Sequence, residues 1–218
     1  LFEDMHQFLF HAIATFLALL PIANPLGAIP IFHSLTETGT RSHRRYQAWH
    51  TSINVIWVLA LFFVAGQFIL EFLHISLGVL RIAGGLLVAH TAWEMATSHQ
   101  KMAAHKPPSS TYPDDISFTP MAVPLVSGPG AIGVVMSLSA TANYWPGYMG
   151  CLFGIVLLGA SLYACLALGD PLFDRLGKHG TVALNRLLSF FILAIAIQFI
   201  ADGTFSLLKD MAQELLPH

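Results

Sequence analysis

Charge is scarce in this chain. Its 218 residues include 10 Lys+Arg and 12 Asp+Glu, so that 10% are charged, against about 25% in an ordinary soluble domain. That scarcity excludes a water-soluble globule. A nucleic-acid partner is excluded with it, because a formal net charge of -2 leaves no concentrated basic face to neutralise phosphates. Cysteine is nearly missing too. Cys151 and Cys165 lie 14 residues apart in one apolar run, roughly 21 Å along a helix, and cannot bridge. The 11 histidines are scattered without HExxH or other metal-ligand spacing, so no metal and no cofactor are expected. No Ser-His or paired-carboxylate arrangement shares a depth and no GxxxxGK[ST] phosphate loop occurs, which argues against an enzyme and against ATP-driven transport by this chain alone. The start, LFEDMHQFLF, carries Glu3 and Asp4 where a signal peptide carries Lys or Arg, so the first apolar run is expected to be a retained membrane helix.

What is abundant is apolar surface. Hydrophobic residues make up 55% of the chain, 16 of them Phe, and the mean hydropathy is +0.66; the solvent for most of this surface is lipid. Runs of the roughly 20 residues needed to cross a bilayer core occur at about 8–35, 50–72, 77–96, 116–139, 147–168 and 184–208. They show no period-two alternation, so the expected fold is all-α, a polytopic membrane protein with six transmembrane helices. Eight of the ten basic residues fall on one side of this arrangement: Arg41, Arg44, Arg45, Lys101, Lys106, Arg175, Lys178 and Arg186. The positive-inside rule then places both termini outside, with Arg81 and Lys209 as exceptions. Membrane lipids are the implied surroundings, and the polar, proline-bearing stretch 97–115 reads as a cytoplasmic linker.

The chain also repeats itself. PIANPLGAIPIFHSLT (Pro21 to Thr36) aligns without gaps on PLVSGPGAIGVVMSLS (Pro124 to Ser139) at an offset of 103, with six of sixteen positions identical. The match joins helix 1 to helix 4, so the chain divides into two three-helix units, 1–96 and 116–218. An odd number of helices per unit forces the second to be inverted, as in inverted-repeat transporters. Both matched segments are poor helix formers. Pro21, Pro25 and Pro30 in helix 1, and Pro120, Pro124 and Pro129 in helix 4, each remove a backbone donor and crowd the carbonyl four residues back. Helices 1 and 4 are therefore expected to be discontinuous, broken near Asn24–Gly27 and Ser127–Gly130. Freed backbone groups at membrane depth are tolerated only against protein or a water-filled cavity, so each break should line a site.

Such a site suits a zwitterion. Amides around Gly27–Ile29 and Gly130–Ile132 would take a carboxylate, carbonyls ending the first half-helices would take an ammonium, and Asn24 and Ser127 would add one polar contact each. No charged residue lies in either break, which speaks against a lysine or arginine substrate. The small residues leave room only for a small side chain. The substrate-binding set expected from this is Asn24, Pro25, Gly27, Ala28, Ser127, Gly128, Pro129, Gly130 and Ala131.

NPLGAIPIF in the first unit, RIAGGLL at the start of helix 3, FTPMAVPLVSGPGAI in the second unit and AIAIQFIADG in helix 6 resemble the MarC family of inner-membrane proteins, which includes the small neutral amino acid transporters called SnatA. The resemblance covers nearly the whole chain. It implies transport of glycine, alanine or a similar neutral amino acid across a bacterial-type inner membrane, driven by a proton or sodium gradient. Its motifs fall on Asn24, Pro25, Leu26 and Gly27, and on Gly128, Pro129, Gly130 and Ala131.

Ionisable groups inside spans cost energy and so mark function. Glu94, one turn after His90 in helix 3, and Asp202, one turn after Gln198 in helix 6, are the ion-coupling candidates; interfacial snorkelling, or pairing with Arg81 and Arg186, is the structural alternative. Small residues at three- and four-residue spacing in helix 5, such as Gly150, Gly154, Ala160 and Ala164, point to close helix packing within the protomer or in a homo-oligomer. An aquaporin-like channel and a drug or metabolite exporter are the competing functions. Against the channel, the Asn-Pro motif here sits in a full-length helix and the second half carries Gly128-Pro129 instead.

Overall fold

The computed structural model describes residues 2–37, 39–97, 115–142 and 144–215. Among these there is no strand. The elements are α1 (Phe2–Ala23), α2 (Pro25–Leu35), α3 (Arg41–Leu73), α4 (Leu77–Thr97), a π-helical segment (Ser117–Val126), α5 (Pro129–Thr141) and α6 (Trp145–Leu215). Local chemistry sets their ends. Thr40 caps α3 by accepting from the His43 amide at 3.2 Å, and His74 closes it in the left-handed conformation, φ 53°. Pro25 and Pro129 stand at the starts of α2 and α5, where a missing amide costs nothing and the fixed φ suits the first turn.

The π-helical segment owes its winding to Pro120 and Pro124. Neither can donate to the ladder, and each forces the residue before it into extended geometry: Thr119 has φ -123° and ψ 124°, Val123 φ -128° and ψ 124°. The amides of Met121 and Ser127 reach back five residues instead, to Ile116 and Ala122 at 3.2 and 2.8 Å.

Side-chain contacts fix the directions of the helices. Phe63 packs against Tyr148, with ring centres 4.6 Å apart and planes tilted by 45°, and Gly159 packs beside Ser52, so α3 runs against the first part of α6. It runs with the second broken pair: Asn54 bonds Ser117 and Gln67 bonds the Ser139 carbonyl. α4 runs against α5, through Arg81 on Ser137, Gly84 on Gly133, and Val88 on Gly130. The later part of α6 runs against α4, with Gly203 on Gly78 and Ala196 on Gly85. The stretches Trp145–Gly169 and Val182–Ala212 of α6 therefore point in opposite directions.

Glycines make these crossings close. A Cβ on Gly203 would stand 2.7 Å from the Gly78 carbonyl oxygen, one on Gly85 2.8 Å from that of Ala196, and one on Gly154 2.6 Å from that of Ala12. Gly150 likewise meets the Phe8 carbonyl, so the small residues of Gly150 and Gly154 serve packing against α1. The main core, including Leu19, Leu59, Phe63, Met121, Val135 and Leu158, joins α1, α3, the π-helical segment, α5 and the first part of α6. A second cluster, Val88, Ala92, Ile192 and Ala196, joins α4 to the later part of α6. Outward faces carry exposed Trp57, Phe68, Phe72, Phe190 and Phe205, an apolar rind that only lipid tolerates at this extent.

Six spans were expected from the sequence. By length and composition four helices can cross a membrane: Glu3–Ala23, Arg41–Leu73, Trp145–Gly169 and Val182–Ala212; the count is five if the bent pair Ser117–Val126 and Pro129–Ala140 forms one span. The expected third span falls in α4. With 21 residues it is long enough, but Arg81, His90 and Glu94 lower its hydropathy. The linker expected over 97–115 lies outside the described residues except for its ends, Thr97 and Asp115.

Candidate functional site

Both expected breaks coincide with helix interruptions, and they are built differently. At the first, α1 stops at Ala23 and Asn24 takes the left-handed conformation, φ 44° and ψ 62°, which asparagine tolerates better than most residues. Backbone bonding continues across it, since the Asn24 amide donates to Leu20 and the Asn24 carbonyl accepts from Ala28, both at 3.1 Å. The Asn24 Oδ1 accepts from the Gly27 amide at 3.1 Å, and a Cβ on Gly27 would collide with the Asn24 side chain. Pro25, Gly27 and Ala28 are buried in packing at the start of α2.

At the second break the chain turns by 68° between Val126 and Pro129. The residue before α5 is Gly128, which has no side chain to cap the helix. Pro129 has no amide, and the first intrahelical bond is from Ile132 to the Gly128 carbonyl at 3.1 Å. The amides of Gly130 and Ala131 precede that first bond and are orphan donors of a helix N-terminus, carrying the positive end of its dipole. Ser127 is fully buried, and its Oγ has no hydrogen-bond partner.

A cavity of about 210 Å³ opens at this second break. Gly128, Pro129, Gly130 and Ala131 form one wall; Val88, Thr91 and Met95 of α4 form another; Ile22 of α1, Leu125 and Val126, and Ile192 of α6 complete it, with His90 at its rim. No Lys, Arg, Asp or Glu lines it among the described residues. The first break reaches the cavity only at its edge, where the Asn24 Nδ2 lies 3.6 Å from the Met95 Sδ and Ile22 abuts Gly130. The wall residues Val88, Thr91, Met95 and Ile192 had no signal in the sequence, because none of them carries distinctive chemistry and all are distant along the chain from the break.

The coupling candidates stand apart. Glu94 lies 3.9 Å from His90, and both side chains are mostly exposed, 65% and 71%. Asp202 is exposed and accepts from Gln198 Nε2 at 2.8 Å. Neither acid lines the cavity, and neither is buried by the protein itself. Arg81 bonds the Ser137 hydroxyl at 3.1 Å through its Nε.

Comparison with known proteins matches residues 9–208 to the family described as MarC family integral membrane protein. A UPF0056 membrane protein of Methanocaldococcus jannaschii is 33% identical over 193 residues, covering 88% of this chain and 94% of that protein. The UPF0056 inner membrane protein MarC of Salmonella paratyphi B is 30% identical over 206 residues, covering 88% and 92%. A UPF0056 membrane protein of Aquifex aeolicus is 28% identical over 208 residues, covering 94% and 97%. No solved structure matches the chain. With its apolar spans and the family match over almost its whole length, the chain belongs to the MarC family of integral membrane proteins.

Proposed function

We propose that the protein is a secondary transporter of small neutral amino acids, such as glycine, alanine, serine or threonine, working by alternating access and coupled to a proton or sodium gradient. The observation that carries this reading is the cavity at the second break, where free amide donors of Gly130 and Ala131 meet small and apolar walls; Ser127, next in the chain to the lining residues Val126 and Gly128, is buried outside the lining with its hydroxyl unpartnered. A carboxylate is matched to the α5 N-terminus. The volume of about 210 Å³ is below the roughly 300–1,000 Å³ of pockets for drug-sized ligands, which favours a solute of few heavy atoms over a drug.

Alternating access requires an element able to move past the site. In this reading α4 is the sixth span, and the units 1–96 and 116–218 are inverted relative to each other, with α1 and α5 running in opposite directions across the cavity. The distribution of basic residues supports an orientation with both termini on the periplasmic side of an inner membrane. The experiment is counterflow of labelled glycine in proteoliposomes against empty liposomes. Saturable exchange that unlabelled alanine competes away is expected; rapid, non-saturable solute or water flux would replace the carrier by a channel, and exchange of drugs without exchange of amino acids by an exporter.

A further inference from the structure

Away from the cavity, the foot of the π-helical segment holds a buried polar cluster. Gln47, Thr51 and Asn54 of α3 lie at intervals of four and three residues, on one helix face. Asn54 Nδ2 donates to Ser117 Oγ at 3.2 Å, and the Ser117 amide donates to Asp115 Oδ1 at 3.0 Å. The Ser117 hydroxyl and amide hold the Asp115 carboxyl below its ordinary range, with smaller help from His50 and from the nearby Gln47 side chain. Asp115, at the exposed edge of the cluster, is thus ionised at neutral pH and has the Gln47 side chain near it. Gln47 is 2% exposed and Thr51 fully buried. Their oxygens, Gln47 Oε1 and Thr51 Oγ1, have no hydrogen-bond partner.

Two buried, unpartnered oxygens on side chains one helical turn apart on one face of α3, the first of them near an ionised carboxylate, are costly if left as they are. An oxygen-ligated hard cation satisfies both at once. Because the two atoms are sealed from water, the ion that fits best is smaller than a water molecule and sheds its hydration more readily than a divalent ion, which describes sodium. We propose that Gln47 Oε1 and Thr51 Oγ1 bind a sodium ion, with Asp115 orienting Gln47 and supplying the compensating charge. The ion would fix the foot of Ser117–Val126, whose far end, Leu125 and Val126, lines the cavity. One element then feels both ligands, which is the physical requirement for coupling between sites. The coupling role rests on the transport reading above; the binding of sodium does not.

The test separates the two. Thermal unfolding of the full chain in detergent, without amino acid, is measured in sodium, potassium and choline chloride at equal ionic strength. Sodium is expected to raise the midpoint, increasingly with its concentration, and potassium and choline are not. Thr51→Val should remove the sodium increment while leaving the midpoint in potassium near that of the wild type; Thr51→Ser, which keeps the oxygen, should retain it. Asn54→Leu, which frees Ser117, should raise the half-maximal sodium concentration about tenfold. Equal midpoints in the three salts, or an increment that survives Thr51→Val, would overturn the site. If Thr51→Val does not fold, direct binding of radiolabelled sodium to the wild type, displaced by unlabelled sodium and not by potassium, decides in its place. A sodium increment without glycine counterflow would leave the site standing and remove the transport reading; glycine exchange without any increment would do the reverse.

Discussion

At Asn24 the chain closes its own interruption, while at Ser127 it leaves one open. The two breaks fall within one residue of the same register of related segments, Asn24 aligning with Ser127 and Pro25 with Gly128, and each is followed by a helix with a proline at its first position. In the first, the side chain of Asn24 takes the Gly27 amide and backbone bonds run across the left-handed residue. In the second, Gly128 offers no cap, two amides stay free, and a serine hydroxyl is buried without a partner. One polar side chain in place of a glycine separates a closed structural joint from an open helix end, the end proposed above to take the ligand. A broken helix is therefore a site only where its orphan groups have not been satisfied from within.

Substitutions can break this contrast. The largest effect is expected from Gly130→Leu, because even a Cβ there collides with Val88: glycine counterflow should fall to the empty-liposome level while the protein still inserts and stays monodisperse. The matching change at the first break, Gly27→Ala, displaces only the flexible Asn24 side chain and should lower stability by about 1 kcal/mol with transport retained. Equal loss of transport in both would return the site to the two breaks jointly.

Asn24→Ala should cost about 2–3 kcal/mol in denaturant unfolding, from the lost cap and the left-handed conformation. Asn24→Gly, which keeps that conformation open, should cost only a few tenths of a kcal/mol. Ser127→Ala sharpens the contrast from the other side. Removal of an unpaired buried hydroxyl should leave the melting point unchanged or higher, and a KM for glycine raised about fivefold to tenfold, the loss of one hydrogen bond, would show that this hydroxyl turns to the substrate during the cycle. The smallest effect is Met95→Leu, a volume-conserving change worth less than about 1.5 kcal/mol, which removes the sulfur beside Asn24 and tests whether the first break senses the cavity wall.

Much of this was legible in the sequence, and the rest was hidden for physical reasons. Proline punctuation located both breaks, since Pro25 and Pro129 can begin a helix but cannot lie inside one. The difference between the breaks was written in Asn24 against Ser127 and Gly128, yet an asparagine side chain can serve a ligand or its own backbone, and only geometry distinguishes the two uses. The far walls of the cavity were not legible. Val88 and Ile192 look like any other apolar helix residue until they are found beside Gly130 and Ala131. Glu94 and Asp202 drew attention because charge in a span is rare, but rarity does not say which way a side chain faces, and both face outward. Asp115, at the edge of a polar linker, looked ordinary and turned out to be held by three side chains of α3 and the π-helical segment.

α4 carries its own consequence for biosynthesis. It leaves the ribosome before α5 and α6 exist, with Arg81, His90 and Glu94 depressing its affinity for lipid. The partners that complete it, Ser137 for the guanidinium and the glycine-lined faces around Gly133 and Gly203, are made last. As the sixth span of the proposed transporter, α4 would wait at the insertion machinery, or settle incompletely, until the second half of the chain arrives. A nascent chain halted before α5 should present α4 to the aqueous side, and the protein is made as a unit whose first half depends on its second.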